Sequence, residues 1–180
     1  MRRSSSTVVV VAGEEAGRVV AGLGGLSNVR AVTRGDRDPE EFADLVRRGE
    51  TTYVVHDADP LAEVGDAWVE FFDGVSATGR LEVAIEEALG ALRAGRAELP
   101  DYYVVLDPED MPATRRHWWL GVLAGAAPSR VVPAPASAAR VADALGHLAA
   151  GRWWPEDVAA WLRGLPRVVP DRAGLPGGTA

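Results

Sequence analysis

The chain has 180 residues, of which 26 are acidic and 19 are basic, and every basic residue is Arg because the sequence contains no Lys. It has no Cys, and its formal net charge is −7 at pH 7. These absences exclude a Lys Schiff base, a P-loop Lys, a thiolate nucleophile, a disulfide and a thiolate metal site. The acidic balance argues against a dedicated nucleic-acid surface, so nucleic acid is expected as a partner only through a metal site.

The length and an apolar content of 47% are typical of one domain with a hydrophobic core. The sequence predicts a flexible N-terminus over 1–6, a single domain over 7–165 and a Pro/Gly-rich tail over 166–180. No run of about 18 apolar residues occurs, so we expect no membrane-spanning segment and a cytoplasmic location.

Strand and helix patterns alternate along the chain. Stretches rich in β-branched or aromatic residues predict strands over 7–12, 28–33, 51–56, 102–106 and 130–133. Amphipathic patterns predict helices over 14–26, 39–48, 61–72, 81–92, 112–123, 137–150 and 155–162. The first strand lacks polar alternation, which is typical of a strand buried on both faces of a parallel sheet. Asp38 followed by Pro39 marks the best-defined helix start.

Alternating strands and helices predict right-handed βαβ units. We therefore predict an α/β domain with a doubly wound, mostly parallel five-stranded sheet, Rossmann-like or flavodoxin-like, and an extra helical pair after the third strand. By analogy with such folds we expect the strand order 2-1-3-4-5. Ligands would then bind outside the carboxyl ends of the strands, near the switch point between strands one and three.

Acidic residues follow several of the predicted strands. Those selected as candidate metal ligands are Glu14, Glu15, Asp57, Asp59 and Asp107. If they converge at one edge of the sheet, they would bind Mg²⁺ or Mn²⁺, which prefer oxygen ligands and support phosphoryl chemistry. The alternative is that each carboxylate caps the following helix or interacts with its dipole.

His56 ends the third predicted strand beside Asp57 and Asp59. These three residues are the candidates for catalysis, with His56 as a metal ligand or general base; the alternative is a structural His at the end of a strand. The loop Gly13–Gly17 lacks the spacing of a dinucleotide-binding motif, and no Ser lies in a nucleophile-elbow motif.

The acids after strands one and three, together with the segment 131–135 that leads into a later helix, resemble a response-regulator receiver domain over most of the chain. The resemblance implies Mg²⁺ binding by the acids and phosphorylation at Asp57. Receivers also require a Lys at the end of strand five, where this chain has Pro133 nearby. The missing Lys favours a degenerate, receiver-like domain that binds a partner.

The segments 10–15 and 53–59 are similar to the acidic motifs of Toprim domains, in which a Glu after one strand and Asp-x-Asp after another bind Mg²⁺. The resemblance covers about the first 60 residues. It departs at Ala12, which stands where the Toprim Glu is expected. It implies a metal-dependent enzyme acting on phosphate esters or nucleic acid.

Two adjacent Trp pairs are the other unusual feature. Neighbours on an α-helix point about 100° apart, so both members of a pair cannot lie centrally on one buried stripe. One interpretation is a partner interface, because Trp and Arg are favoured interface anchors. The residues assigned to it are Arg115, Arg116, Trp118, Trp119, Trp153 and Trp154. The alternative is that the last helices pack with large aromatic side chains in the core.

The sequence thus favours a non-enzymatic, receiver-like or Rossmann-like domain that binds a protein partner, a second copy of itself or a small ligand. No cofactor is assigned, with Mg²⁺ the one candidate. The alternative hypothesis is a Mg²⁺-dependent, Toprim-like enzyme that acts through the five carboxylates.

Overall fold

The structure is a computed structural model that describes residues 6–76 and 78–170. Its strands are β1 Thr7–Ala12, β2 Val29–Val32, β3 Tyr53–His56, β4 Tyr102–Leu106 and β5 Val131–Ala134. Its α-helices are α1 Ala16–Gly22, α2 Pro39–Arg47, α3 Ala62–Phe72, α4 Thr78–Arg93, α5 Ala113–His117, α6 Ala124–Ala126, α7 Ala138–Leu145 and α8 Val158–Gly164. A π-helical segment, Trp118–Leu123, joins α5 to α6.

The five strands form one parallel sheet, with helices packed on both of its faces. The predicted α/β fold class is confirmed, and so is the helical pair α3 and α4 after β3. The predicted strand order was wrong: the sheet runs β2-β3-β1-β4-β5. Because β3 pairs with both β2 and β1, the central strand β1 lies between β3 and β4, and β2 lies at the edge as predicted.

Local signals set the bounds of several helices. The Asp38 side chain accepts hydrogen bonds from the backbone N–H groups of Glu40 and Glu41, at 2.8 and 3.3 Å, so the predicted start of α2 is confirmed. The last helix begins later than predicted because Asp157 caps it, accepting from the backbone N–H of Ala160 at 2.8 Å.

Two predicted helices are shorter in the structure. The first covers Ala16–Gly22 rather than 14–26, and α7 ends at Leu145 rather than near residue 150. Gly is a poor residue inside a helix because it loses much conformational freedom, and each of these helices stops at or next to a Gly.

The ends of the chain are only partly described. Of the predicted N-terminal segment 1–6, only Ser6 is described; it is buried and donates from Oγ to the Gly49 carbonyl, 3.0 Å away. Of the predicted tail 166–180, residues 171–180 lie outside the described part. The described portion begins in the short 3₁₀ helix Leu165–Arg167.

The side chains of the central strands alternate between two hydrophobic clusters. Val10 of β1 packs with α3, α4, the π-helical segment and α8, and we call this side the first face. Val9 and Val11 pack instead with α1 and α7 on the second face. All three Val side chains are fully buried, as the unbroken apolar run of β1 predicted.

Most of the paired Trp residues lie in the core of the first face. The exposed fractions of Trp118, Trp119 and Trp154 are 0%, 6% and 5%. Both members of the first pair are buried because different neighbours cover them: Trp118 packs against Trp68 of α3, and Trp119 packs against Tyr103 of β4. The core-packing alternative is therefore confirmed for these three residues.

Within the described ranges, 6–76 and 78–170, no helix combines the length and apolar character needed to cross a membrane.

The contact between α3 and Trp118 gives a direct test of this packing. A Cβ added at Gly65 would lie 2.7 Å from Trp118 Nε1. Because the indole is fully buried, we expect Gly65→Ala to lower the free energy of unfolding by about 1–3 kcal/mol in urea denaturation.

The matched control is Gly90→Ala in α4, where an added Cβ meets nothing within 4 Å. Relief of the Gly helix penalty should raise its free energy of unfolding by roughly 0.5–1 kcal/mol. A Gly65→Ala protein as stable as the Gly90→Ala protein would contradict the packing of Trp118 against α3.

Candidate functional site

The chain leaves the two neighbouring strands β1 and β4 in opposite directions. From β1 it passes through α1 to β2, beyond β3, whereas from β4 it passes through α5 to β5 on the other side. A crevice opens where the connections diverge at the carboxyl edge of a parallel sheet. The switch point is therefore between β1 and β4, and not between β1 and β3 as the expected strand order implied.

A cleft of about 640 Å³ lies at this switch point. We call it the edge cleft; it is lined by Gly13, Glu14, Glu15, Val69, Asp73, Leu106, Asp107, Asp110, Met111, Pro112, Arg115, Trp119 and Ala136. Its volume is within the ~300–1,000 Å³ usual for small-molecule sites. Aromatic and aliphatic side chains supply its apolar part, and carboxylates dominate its polar part.

Unusual backbone conformations occur where both strands enter the cleft. Gly13 has a φ of 132°, and a Cβ there would lie 3.0 Å from the Leu106 Cβ, so the position requires Gly. Asp107 has a φ of 43°, in the left-handed region that is uncommon for a residue with a side chain. Its carboxylate accepts a hydrogen bond from the Ala136 backbone N–H, 3.2 Å from each oxygen. This bond holds Asp107 beside the start of α7.

Several other charged groups of the edge cleft already form ion pairs or hydrogen bonds with neighbouring residues. Glu15 pairs with Arg18, and Asp73 accepts a hydrogen bond from the Thr114 hydroxyl at 2.6 Å. Five carboxylates and one guanidinium line the cleft, and that guanidinium, on Arg115, forms an ion pair with Asp66. The cleft therefore carries net negative charge.

The structure separates the five predicted metal ligands. Glu14, Glu15 and Asp107 line the edge cleft, whereas Asp57 and Asp59 do not. In residues 6–76 and 78–170, no group of three or more His, Cys, Asp or Glu side chains could hold a metal ion. The expected convergence of all five is not found, and a Mg²⁺ site remains a prediction that this arrangement does not support.

Asp57 and Asp59 diverge because they serve different contacts. The Asp57 carboxylate accepts the Arg34 backbone N–H at 2.6 Å and lies next to Gly17 of α1, on the second face. Asp59 turns to the first face, where its Oδ1 accepts the Tyr103 hydroxyl at 2.7 Å and the Leu61 backbone N–H at 2.8 Å. One carboxylate thus joins β3 to the β2 loop, and the other joins it to β4.

Burial shifts the ionisation of the groups on the first face. It raises the pKa of Asp59 to about 6, although the bonds from Tyr103 and Leu61 oppose the shift. It also raises the pKa of Tyr103 well above its usual value, and the neighbouring Asp59 adds to that effect. Burial lowers the pKa of His56 to about 4, so this imidazole is neutral at neutral pH.

The predicted interface residues do not form one exposed surface. Trp118, Trp119 and Trp154 are buried, as described above, and Trp153 is half-buried. Arg115 pairs with Asp66, and Arg116 pairs with Glu109 at 2.9 Å. The half-buried Trp153 ring lies 4.3 Å from the guanidinium carbon of Arg130. The buried side chains offer no surface to a partner in this structure.

Sequence reasoning did not assign several residues to these sites. Tyr103 reads as an ordinary strand residue, and its bond to Asp59 spans 44 residues of the chain. Trp119 was assigned to an interface, yet it lines the edge cleft. Asp110 was recognised as an acid that follows β4 but was not chosen as a candidate site residue, and it lines the edge cleft with Asp107.

No protein-family model, curated protein or solved structure matches this chain. The receiver and Toprim resemblances therefore stay untested, and the candidate site stands on geometry and charge alone.

The opposite pKa shifts of His56 and Asp59 predict opposing effects of pH on stability. Below its ordinary pKa, His56 takes up a proton more readily in the unfolded chain, so its contribution to stability falls as the pH drops from 6.5 to about 4. Between pH 3.8 and about 6, folded Asp59 holds a proton that the unfolded chain has released. Its contribution to stability therefore rises as the pH drops through almost the same range.

On acidification across this range, we expect the free energy of unfolding of Asp59→Asn to fall by about 2–3 kcal/mol more than that of the parent chain, because the variant lacks the contribution of Asp59. His56→Phe should show the opposite sign, and the double variant should follow the parent profile. Urea denaturation at a series of pH values measures this. Parallel profiles for the parent and both single variants would contradict the assigned burial of the two groups.

Proposed function

We propose that this chain is a non-enzymatic ligand-binding domain whose ligand, a small organic cation, occupies the edge cleft. The observation that carries the proposal is the cleft itself, which lies at the switch point of the sheet and is lined by both apolar side chains and carboxylates. This retains the small-ligand part of the sequence hypothesis and assigns it a site and a ligand charge.

The net negative charge of the cleft favours a cationic ligand. Asp107 and Asp110 lie on the β4 side of the cleft, and Glu14 and Glu15 lie on the β1 side. An organic anion would meet like charge on both sides, whereas an ammonium or guanidinium group would find carboxylate acceptors for charge-assisted hydrogen bonds. Arg115 offsets little of this charge because it already pairs with Asp66.

The apolar side chains of the lining support an organic ligand over a bare ion. Leu106, Met111 and Trp119 line the cleft together with Val69. Apolar contact contributes affinity in proportion to the area removed from water, at about 25 cal/mol per Å². A ligand with an aliphatic chain between cationic groups would use both the apolar side chains and the carboxylates.

Agmatine is a suitable probe because it carries an ammonium and a guanidinium group on a four-carbon chain. We expect saturable heat of binding in isothermal titration calorimetry and a rise in Tm, because a ligand that binds only the folded state stabilises it. The double variant Asp107→Asn/Asp110→Asn should bind at least about tenfold more weakly, equivalent to about 1.4 kcal/mol. Asn keeps the size of both side chains and tolerates the left-handed conformation of residue 107.

The matched control is Asp143→Asn, which removes an exposed carboxylate on α7 outside the cleft and should leave agmatine binding unchanged. Butane-1,4-diol and a mononucleotide test the charge preference, since both should bind more weakly than agmatine. The proposal fails if agmatine does not bind, if the mononucleotide binds more tightly, or if the Asp107→Asn/Asp110→Asn protein binds agmatine as the parent does.

A further inference from the structure

The two outer strands of the sheet, β2 and β5, differ in the backbone groups that they leave without a partner strand. In a parallel pair, alternate residues turn their N–H and C=O groups to the neighbouring strand, and the residues between them turn these groups away. The Arg130 carbonyl accepts the Tyr103 N–H at 2.8 Å, so Val131 and Pro133 are the outward-facing residues of β5. Pro133 has no N–H to offer, which protects this edge against an added strand.

The edge of β2 has no such protection. The Asn28 carbonyl accepts the Tyr53 N–H at 3.0 Å, so Val29 and Ala31 are the residues that face away from β3. The Val29 N–H donates to the Leu26 carbonyl at 3.1 Å. In the described part of the chain, the Val29 C=O and the N–H and C=O of Ala31 make no hydrogen bond. This edge therefore presents one donor between two acceptors to an incoming strand.

A groove beside β2 leaves room for a further backbone. Its lining includes Gly24, which follows α1, and Ala31, so the side chains that an incoming strand would meet there are small. Ala31 packs on the second face of the sheet, so its neighbour Arg30 points to the first face. There the Arg30 guanidinium donates to the Arg48 carbonyl at the end of α2, 3.4 Å away.

Basic side chains surround this edge, although the net charge of the whole chain is −7. Residues 28–37 include three Arg and one Asp. Arg48 adds a guanidinium to the groove, against the carboxylate of Glu50. Within the described residues, neither Arg30 nor Arg34 has an ion-pair partner. A carboxylate beside Arg30 would therefore form a new charge-assisted contact.

We propose that β2 binds an extended, acidic segment of a partner protein as a sixth strand of the sheet. The backbone of the segment pairs with Val29 and Ala31, and its acidic side chains lie beside Arg30 on the first face. Its alternate side chains lie on the second face beside Ala31 and are aliphatic. A second copy of β2 fits less well, because a two-fold pairing would bring the same Arg side chains together.

This surface is independent of the cation proposed for the edge cleft, since the groove and the cleft share no lining residue.

A capped hexapeptide, Glu-Val-Glu-Val-Glu-Val, is a suitable probe because the extended chain places every Glu on one face and every Val on the other. In a ¹H–¹⁵N titration of the full chain, the Ala31 amide should shift and saturate. The same peptide with Lys in place of Glu should bind at least about tenfold more weakly. Added salt should weaken binding of the Glu peptide, because the charge contacts are exposed.

Two variants separate the backbone contact from the charge contact, with calorimetry as the readout. Ala31→Pro removes the outward N–H, as Pro133 does in β5, and should weaken binding of the Glu peptide at least about tenfold. Arg30→Gln should reduce the preference for the Glu peptide over the Lys peptide. Arg140→Gln is the matched control: it removes an exposed guanidinium of α7 outside the groove, and should bind the Glu peptide as the parent does.

Two N-methylated peptides keep the test decisive if Ala31→Pro fails to fold. One is methylated at every Glu and the other at every Val; one of them should lose binding, because every second N–H of an added strand faces β2.

Absence of saturable binding of the Glu peptide overturns the proposal. So does binding that leaves the Ala31 amide unshifted, that the Lys peptide equals, or that both methylated peptides retain. An Ala31 amide signal that moves with protein concentration in the absence of peptide would assign this edge to a second copy of the chain, and would also overturn it.

Discussion

The burial of β1 on both faces is the constraint on which the rest of the structure depends. Val9, Val10 and Val11 are inaccessible to water, and they can be so only if strands flank β1 on both sides and helices cover both faces. The flanking strands are β3 and β4. Right-handed crossovers then fix which helices lie on which face.

This central position of β1 also determines where the edge cleft lies. Divergence of the chain from β1 and β4 opens the edge cleft, whose walls come from loops that follow the two strands. Asp59 follows β3 in the chain and accepts a hydrogen bond from the Tyr103 hydroxyl of β4. It thereby links the two strands that flank β1.

Much of the fold could be predicted from the sequence because strand and helix signals are local. The β-branched run of β1, the Asp38 cap and the two amphipathic stripes of α3 and α4 each depend on a few neighbouring residues. Strand order depends on contacts between residues far apart, so the analogy with 2-1-3-4-5 could not detect the exchange of β1 and β3. The burial of Trp118 and Trp119 was hard to predict for the same reason, because the residues that cover them, Trp68 and Tyr103, come from distant parts of the chain.

The site was harder to predict than the fold. Acids at the carboxyl ends of strands were recognised, but the direction of each side chain was not: Asp57 and Asp59 are two residues apart and serve opposite faces. The absence of Lys also limits which cationic side chains the protein can place at a site. Every basic side chain other than His is a permanently charged Arg, so the one guanidinium that lines the edge cleft, on Arg115, stays charged near neutral pH.

The central claim is that the edge cleft is the site where this chain binds a cation, and amide chemical-shift mapping tests it most directly. In a ¹H–¹⁵N titration with agmatine, the backbone amides of Gly13, Asp107 and Ala136 should shift together and saturate at one concentration, while those of α2 stay fixed. Shifts confined to α2 or scattered over the surface, or no saturable shift at the carboxyl ends of β1 and β4, would contradict the account.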